Sequence, residues 1–171
     1  LNCRGNLLET LDVSHNTQLR NLNCMTNKLT ALDVSKNTLL DHLYFGSFSQ
    51  NSNQITEIDL SNNPNLLTFG CETNALTELD FTNNPKLASA AISHNKELRG
   101  NVNFSNNAKM EHIYAYECGL TSVNSETFNI ANMPELRELY VSGGEYEAGN
   151  KIASIDLSKN TKLAKLTISN N

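Results

Sequence analysis

At 171 residues the chain is long enough for one structural unit, and its formal net charge of −5 and pI near 5.3 come without any run of basic residues. That balance excludes an electrostatic nucleic-acid surface, because phosphate recognition draws on clustered Lys and Arg. No stretch approaches the roughly 18 consecutive apolar residues that a membrane-spanning helix requires, and the first residues do not read as a secretory leader.

From the N-terminus onward, apolar positions recur in a register of about 21 residues. Leu19, Leu22, Cys24, Asn27 and Leu29 match the pattern L-x-x-L-x-L-x-x-N/C-x-L. So do Leu66, Phe69, Cys71, Asn74 and Leu76, and then Met110, Ile113, Ala115, Cys118 and Leu120. A second half-repeat alternates with the first, as in Leu11-Asp12-Val13-Ser14, Leu32-Asp33-Val34-Ser35, Ile58-Asp59-Leu60-Ser61, Leu79-Asp80-Phe81-Thr82, Val102-Asn103-Phe104-Ser105 and Ile155-Asp156-Leu157-Ser158. One such unit cannot bury its own apolar edge, so units must stack and share an elongated core. The pattern predicts an α/β-type leucine-rich repeat solenoid dominated by short parallel β-strands. It is a right-handed curved stack of about eight 21-residue-type rungs with few helical turns, one domain over 1–171. First-type strands are expected to open at Leu1, Leu22, Leu43, Phe69, Ala90, Ile113, Leu139 and Leu166. The chain lacks an initiating Met and shows no polar cap at either end, which reads as a window of a longer polypeptide.

Asparagine closes the half-repeats at Asn6, Asn16, Asn27, Asn37, Asn63, Asn74, Asn84, Asn95, Asn107 and Asn160. These are expected to form buried ladders whose amides satisfy turn backbone groups that would otherwise be orphaned. Cys3, Cys24 and Cys71 share one inward strand position that elsewhere holds Phe45, Ile92, Ala115, Val141 and Ile168, so they read as small hydrophobes. Cys118 stands at a ladder position. Only Cys3 and Cys24 are close enough in register to approach bonding distance, and no C-x-x-C pair suggests zinc.

With those residues in place, units such as Leu29-Thr30-Ala31-Leu32-Asp33-Val34-Ser35-Lys36-Asn37-Thr38 resemble the cysteine-ladder, internalin J-like leucine-rich repeats of surface proteins from Bacteroidetes and Firmicutes. The resemblance covers nearly the whole chain, although the ladder cysteine gives way to Ile92, Ala115, Val141 and Ile168 toward the C-terminus. It implies a secreted or cell-surface bacterial protein, used in adhesion or host-protein binding, with the cysteine strand on the concave face. It brings no catalytic residues.

Longer units carry insertions at 46–52, 96–100, about 124–132 and 143–149, three of them after a first-type strand and hence on one edge of the stack. Such loops border a binding face or simply drift in length at little cost. Pro64, Pro85 and Pro134 share one turn position, where a fixed φ suits the start of a helical turn. The outward columns of the first strands are expected to carry the binding residues: His42, Tyr44, His112, Tyr114, Tyr116, Glu138 and Tyr140, with Tyr146 in the last insertion. Clustered tyrosine is hot-spot composition, and it is equally the composition of cross-rung sheet packing.

The second-type strands place Asp12, Asp33, Asp59, Asp80 and Asp156 in one column. Asx-type bonds from the following turn are the expected compensation, since the motif lacks the converging oxygens of a calcium loop. His42 and His112 lie roughly 14 Å apart at strand spacing, too far to share a metal. No G-x-S-x-G, H-E-x-x-H or phosphate-binding glycine loop occurs. No enzyme activity, cofactor or metal is therefore expected. The leading expectation is an extracellular or cell-surface module, monomeric, that recognises a protein or glycan ligand without touching nucleic acid or inserting into a membrane. An intracellular scaffold or effector and a structural spacer are the alternatives the fold also permits.

Overall fold

A computed structural model describes residues 1–47, 53–144 and 149–171. Seven three-residue strands form one parallel sheet: β1 (Asn21–Asn23), β2 (His42–Tyr44), β3 (Thr68–Gly70), β5 (Ser89–Ala91), β7 (His112–Tyr114), β8 (Glu138–Tyr140) and β9 (Lys165–Thr167), hydrogen-bonded in that order. A bridge from Asn2 to Asn23 adds one further level below β1. On the opposite side, among the described residues, only β4 (Leu79–Asp80) and β6 (Val102–Asn103) pair as strands. Helix among the described residues is confined to two 3-10 turns, Lys96–Leu98 and Ile130–Asn132. The parallel solenoid expected from the repeat is the observed architecture.

Each strand starts one residue before its expected opener, and the opener is the central, inward residue. Leu22, Leu43, Ala90, Ile113 and Leu139 are fully buried and Phe69 nearly so. Leu166, on the last strand with nothing stacked above it, is 38% exposed. Strands end quickly because the chain turns at the residue before the ladder position: Gly5, Thr26, Thr73, His94, Glu117 and Asn170 all take a left-handed φ between 50° and 75°. For the non-glycine members that backbone costs about 1–2 kcal/mol, so the surrounding bonds must hold it.

Asparagine supplies those bonds. Asn27 donates from Nδ2 to the Cys24 carbonyl of its own rung and the Cys3 carbonyl of the rung below, both at 3.0 Å, while its Oδ1 accepts from the Leu8 N–H. Asn95 repeats the arrangement with Ile92, Cys71 and Leu76. The same role falls to Asn53 and Asn150, which the repeat spacing hides behind insertions. Cys118 fills the column with its thiol directed at the Ile92 carbonyl, 3.2 Å away. The second column works differently: Asn37, Asn63, Asn84, Asn107 and Asn160 are buried and spend Nδ2 on two carbonyls of the rung below. Met133 interrupts this column.

Asn6 and Asn16 depart from the expectation of a buried ladder. Both are exposed, at the first rung of the described residues. Asn6 still reaches the Cys3 carbonyl at 2.9 Å, whereas Asn16 serves only through its backbone carbonyl, which accepts from Asn37.

The core between the two sides contains a spine of rings. Phe45 meets Phe69 edge-on at 5.5 Å, Phe69 meets Phe81 at 5.1 Å, Phe81 stacks on Phe104 at 5.0 Å, and Phe104 meets Phe128 at 4.9 Å. Pairs of this geometry add about 0.5–1.5 kcal/mol each beyond the area they bury. The four cysteines are free thiols, with Cys24, Cys71 and Cys118 fully buried. Burial pushes the Cys24 and Cys118 thiols up to about 12 and lifts that of Cys71 well above its ordinary value.

Candidate binding face

The strand register aligns the outward residues of the paired sheet in columns. One runs Asn21, His42, Thr68, Ser89, His112, Glu138, Lys165, and the next runs Asn23, Tyr44, Gly70, Ala91, Tyr114, Tyr140, Thr167. Parallel strands without stagger bring identical positions within about 4.8 Å, so like residues stack and unlike charges pair along the face.

Five of the residues singled out from the sequence come together at β7 and β8. The Tyr114 and Tyr140 rings stack with centroids 4.9 Å apart and planes 14° from parallel. Tyr116 tilts against Tyr140 at 5.9 Å. The Tyr114 hydroxyl donates to Glu138 at 2.8 Å, and Lys165 donates to the other Glu138 oxygen at 2.7 Å. His112 lies between two carboxylates, Glu111 and Glu138, each 3.8 Å from a ring nitrogen. Arg137 completes the rim through Glu111 at 3.5 Å.

These contacts set the electrostatics. Hydrogen bonds from Lys165 and then Tyr114 hold the Glu138 carboxyl below its usual range, and Glu138 in turn raises Lys165. Burial, followed by the bond to Glu138, pushes the Tyr114 phenol up to about 12. Burial and the neighbouring Tyr140 also raise Tyr116. The tyrosines are thus half-buried against one another, and part of each ring serves the cross-rung packing that their composition also suggests.

His42 and Tyr44 form a separate group, three strand steps away on β2. Their rings are parallel within 6°, and both reach the Thr68 hydroxyl of β3, Tyr44 at 2.7 Å. Tyr44 lies over Gly70, where an added Cβ would come within 2.9 Å of the ring. Tyr146 falls outside the described residues.

Alternation places Arg4, Met25, Gly46, Glu72, Ser93, Tyr116, Ser142 and Ser169 in a third outward row, which the structure leaves only partly solvent-facing. Glu72, Ser93 and Ser142 are buried, because the chain leaving each strand presses onto the backbone of the next rung. A Cβ on Gly46 would sit 1.9 Å from the Glu72 nitrogen. Burial there raises the Glu72 carboxyl. Glu111, Arg137 and Lys165 are the partners missed among the candidate site residues. Lys165 was legible in principle, since the register sets a lysine directly beside Glu138.

On the opposite side, Asp12, Asp33, Asp59, Asp80 and Asp156 each accept the N–H two residues on, at 2.8–2.9 Å. Ser14, Ser35 and Ser158, through N–H and then hydroxyl, hold Asp12, Asp33 and Asp156 below the ordinary carboxylate range. Ser61 does the same for Asp59, its hydroxyl first. No group of three or more metal-ligating side chains converges among the described residues. No helix among them is long and apolar enough to cross a membrane.

Short parallel strands, paired asparagine columns and buried ladder thiols define an internalin-like leucine-rich repeat solenoid. The structure is similar to the functional domain of InlJ from Listeria monocytogenes, which includes a cysteine ladder. The TM-score is 0.81 at 29% identity, over 98% of this chain and 33% of that one. It is also similar to an internalin, InlF, from Listeria monocytogenes (TM-score 0.73, 22% identity, 94% and 44% of the two chains). The leucine-rich repeat domain of APL1B shares the fold (TM-score 0.52, 20% identity, 93% and 45%). The chain therefore spans between a third and a half of the length of these proteins. No protein-family model and no curated protein sequence matches it.

Proposed function

We propose that this chain is the recognition domain of a secreted or cell-surface bacterial protein that acts as a monomer and binds a protein or glycan partner through its strand-paired face. One observation carries the reading. Tyr114, Tyr116 and Tyr140 form a contiguous aromatic cluster rimmed by Glu138, Lys165 and His112. Aromatic area bordered by fixed charge is the composition in which binding energy concentrates. The likeness to the InlJ functional domain supports a surface role. The companion proteins are repeat domains of the same architecture, which favours binding over catalysis.

The test is binding of the purified chain to intact host cells before and after protease or glycosidase treatment, measured by flow cytometry. Saturable binding that is lost on one of the two treatments, and weakened by Tyr114→Ala/Tyr140→Ala, supports the proposal and identifies the partner's chemistry. Binding unaffected by the double variant places recognition elsewhere.

A further inference from the structure

The side opposite the paired sheet holds a second surface that the function above does not use. The extended segments 11–13, 32–34 and 58–60 run side by side without strand pairing, and the gaps between them are open. The gap between the second and third segments forms a cavity of about 590 Å3. Flanking cavities of about 280 Å3 and about 220 Å3 share residues with it, so the three form one groove along the first four rungs. Its floor is apolar, made by Leu11, Ala31, Leu32 and Ile58. It closes where β4 pairs with β6.

The walls carry one sign of charge. Asp12, Asp33, Asp59 and Asp80 stand one per rung, with Glu57 and Glu78 in the gaps. No Lys or Arg lines any of the three cavities, and none of these six carboxylates forms an ion pair among the described residues. Lys36 bears on Asp33 from beyond ion-pair distance. The turn N–H and hydroxyl bonds stabilise each carboxylate without placing a cation in the groove. Lys and Arg suit this arrangement: their methylene stems cover apolar floor while their heads meet carboxylates at the rim.

We infer that this groove docks an extended Lys/Arg-rich segment of a partner protein, one cationic side chain per inter-rung gap, on the side away from the tyrosine cluster. The charge can be removed without breaking the turns. At the equivalent position Asn103 keeps the same bond, its Oδ1 accepting the Ser105 N–H at 3.1 Å, so Asp→Asn preserves the backbone.

The probe is a short fluorescein-labelled peptide of alternating Lys and Ser, followed by fluorescence anisotropy at low salt, with circular dichroism verifying each variant. Saturable binding is expected. Asp33→Asn/Asp59→Asn should weaken it roughly fivefold, as expected for the loss of two partly exposed charge pairs. Ala31→Lys, which sets a cation in the middle of the groove, should abolish it. Glu97→Gln/Glu126→Gln, which removes as much charge away from the groove, should leave it unchanged. The inference is overturned if the peptide does not bind saturably, or if the Glu97/Glu126 variant weakens binding as much as the groove variant. It is also overturned if sedimentation shows self-association that Asp33→Asn/Asp59→Asn dissolves, since a second copy then occupies the groove.

Discussion

Tyr114 and Glu138 occupy adjacent strands yet different outward columns, and the diagonal bond between them, 2.8 Å from hydroxyl to carboxylate, ties the aromatic cluster to the charged rim. The carboxylate also holds Lys165, so one side chain orients both an aromatic ring and a cation.

The diagonal bond has a pH signature. The Tyr114 phenol, pushed up to about 12, holds its proton more tightly in the folded state than the unfolded value near 10. Its stabilising contribution is fully present below about 10 and is lost as pH rises through about 12. Glu138 is depressed, so its contribution is present above the unfolded carboxylate value and disappears as pH falls through the lower folded one. Spectrophotometric tyrosine titration of Glu138→Gln should show one phenol moving down relative to the parent protein. An unchanged titration curve disproves the coupling.

The asparagine columns give a graded stability prediction. Asn53 and Asn95 are fully buried and each bond two rungs, so replacement by Ala should cost about 1–3 kcal/mol through orphaned backbone groups. Asn74, at the same ladder position, should behave alike. Asn16→Ala should change the urea midpoint negligibly, because the Asn16 side chain is exposed and its backbone carbonyl survives the substitution. Equal losses at Asn16 and Asn53 contradict this account.

The thiols should be silent until the solenoid opens. Cys24, Cys71 and Cys118 are buried and held protonated, whereas Cys3 is only partly covered on the first rung. Thiolate is the reactive form, so maleimide labelling under native conditions should modify Cys3 first and the other three only in denaturant. A disulfide found by mass analysis overturns the assignment.

Strand positions were legible because every inward residue of every rung must be apolar, and period-two alternation around Leu22, Leu43 and Ile113 is preserved despite the insertions. What escaped depends on neighbours in space rather than in sequence. Asn53 and Asn150 lie beyond insertions that break the count of residues from strand to ladder. The phenylalanine spine draws on different repeat positions, Phe45 and Phe69 from the first half-repeat and Phe81 and Phe104 from the second, so no single column reveals it. The cover over Glu72 and Ser93 arises where chain leaves a strand, which alternation does not describe. The second half-repeats look like strands in sequence, yet among the described residues only Leu79–Asp80 and Val102–Asn103 pair.

The spine should be among the most costly places to cut. Phe81 touches both Phe69 and Phe104 and is fully buried, so Phe81→Ala should destabilise by about 3–5 kcal/mol in urea unfolding. Phe128, with one spine contact, should cost less. The reverse order argues against the spine as a shared core.

Within the tyrosine cluster, Tyr140 holds the central place. Its ring stacks on Tyr114 on one side and meets Tyr116 on the other, so removing it releases both neighbours from their orientation as well as deleting its own contact area. Tyr44 is anchored separately, to Thr68 on β3, and shares no contact with that trio. Once a partner that engages this tyrosine face is in hand, Tyr140→Ala should weaken binding by about 2 kcal/mol or more, in the range of hot-spot truncation. Tyr114→Ala should lose less, and Tyr44→Ala and Asp33→Asn close to nothing. Isothermal titration of the four variants decides the matter. Should Tyr44→Ala weaken binding while Tyr140→Ala does not, the contact centre lies at β2 and β3, and the stacked tyrosines serve only to pack one rung against the next.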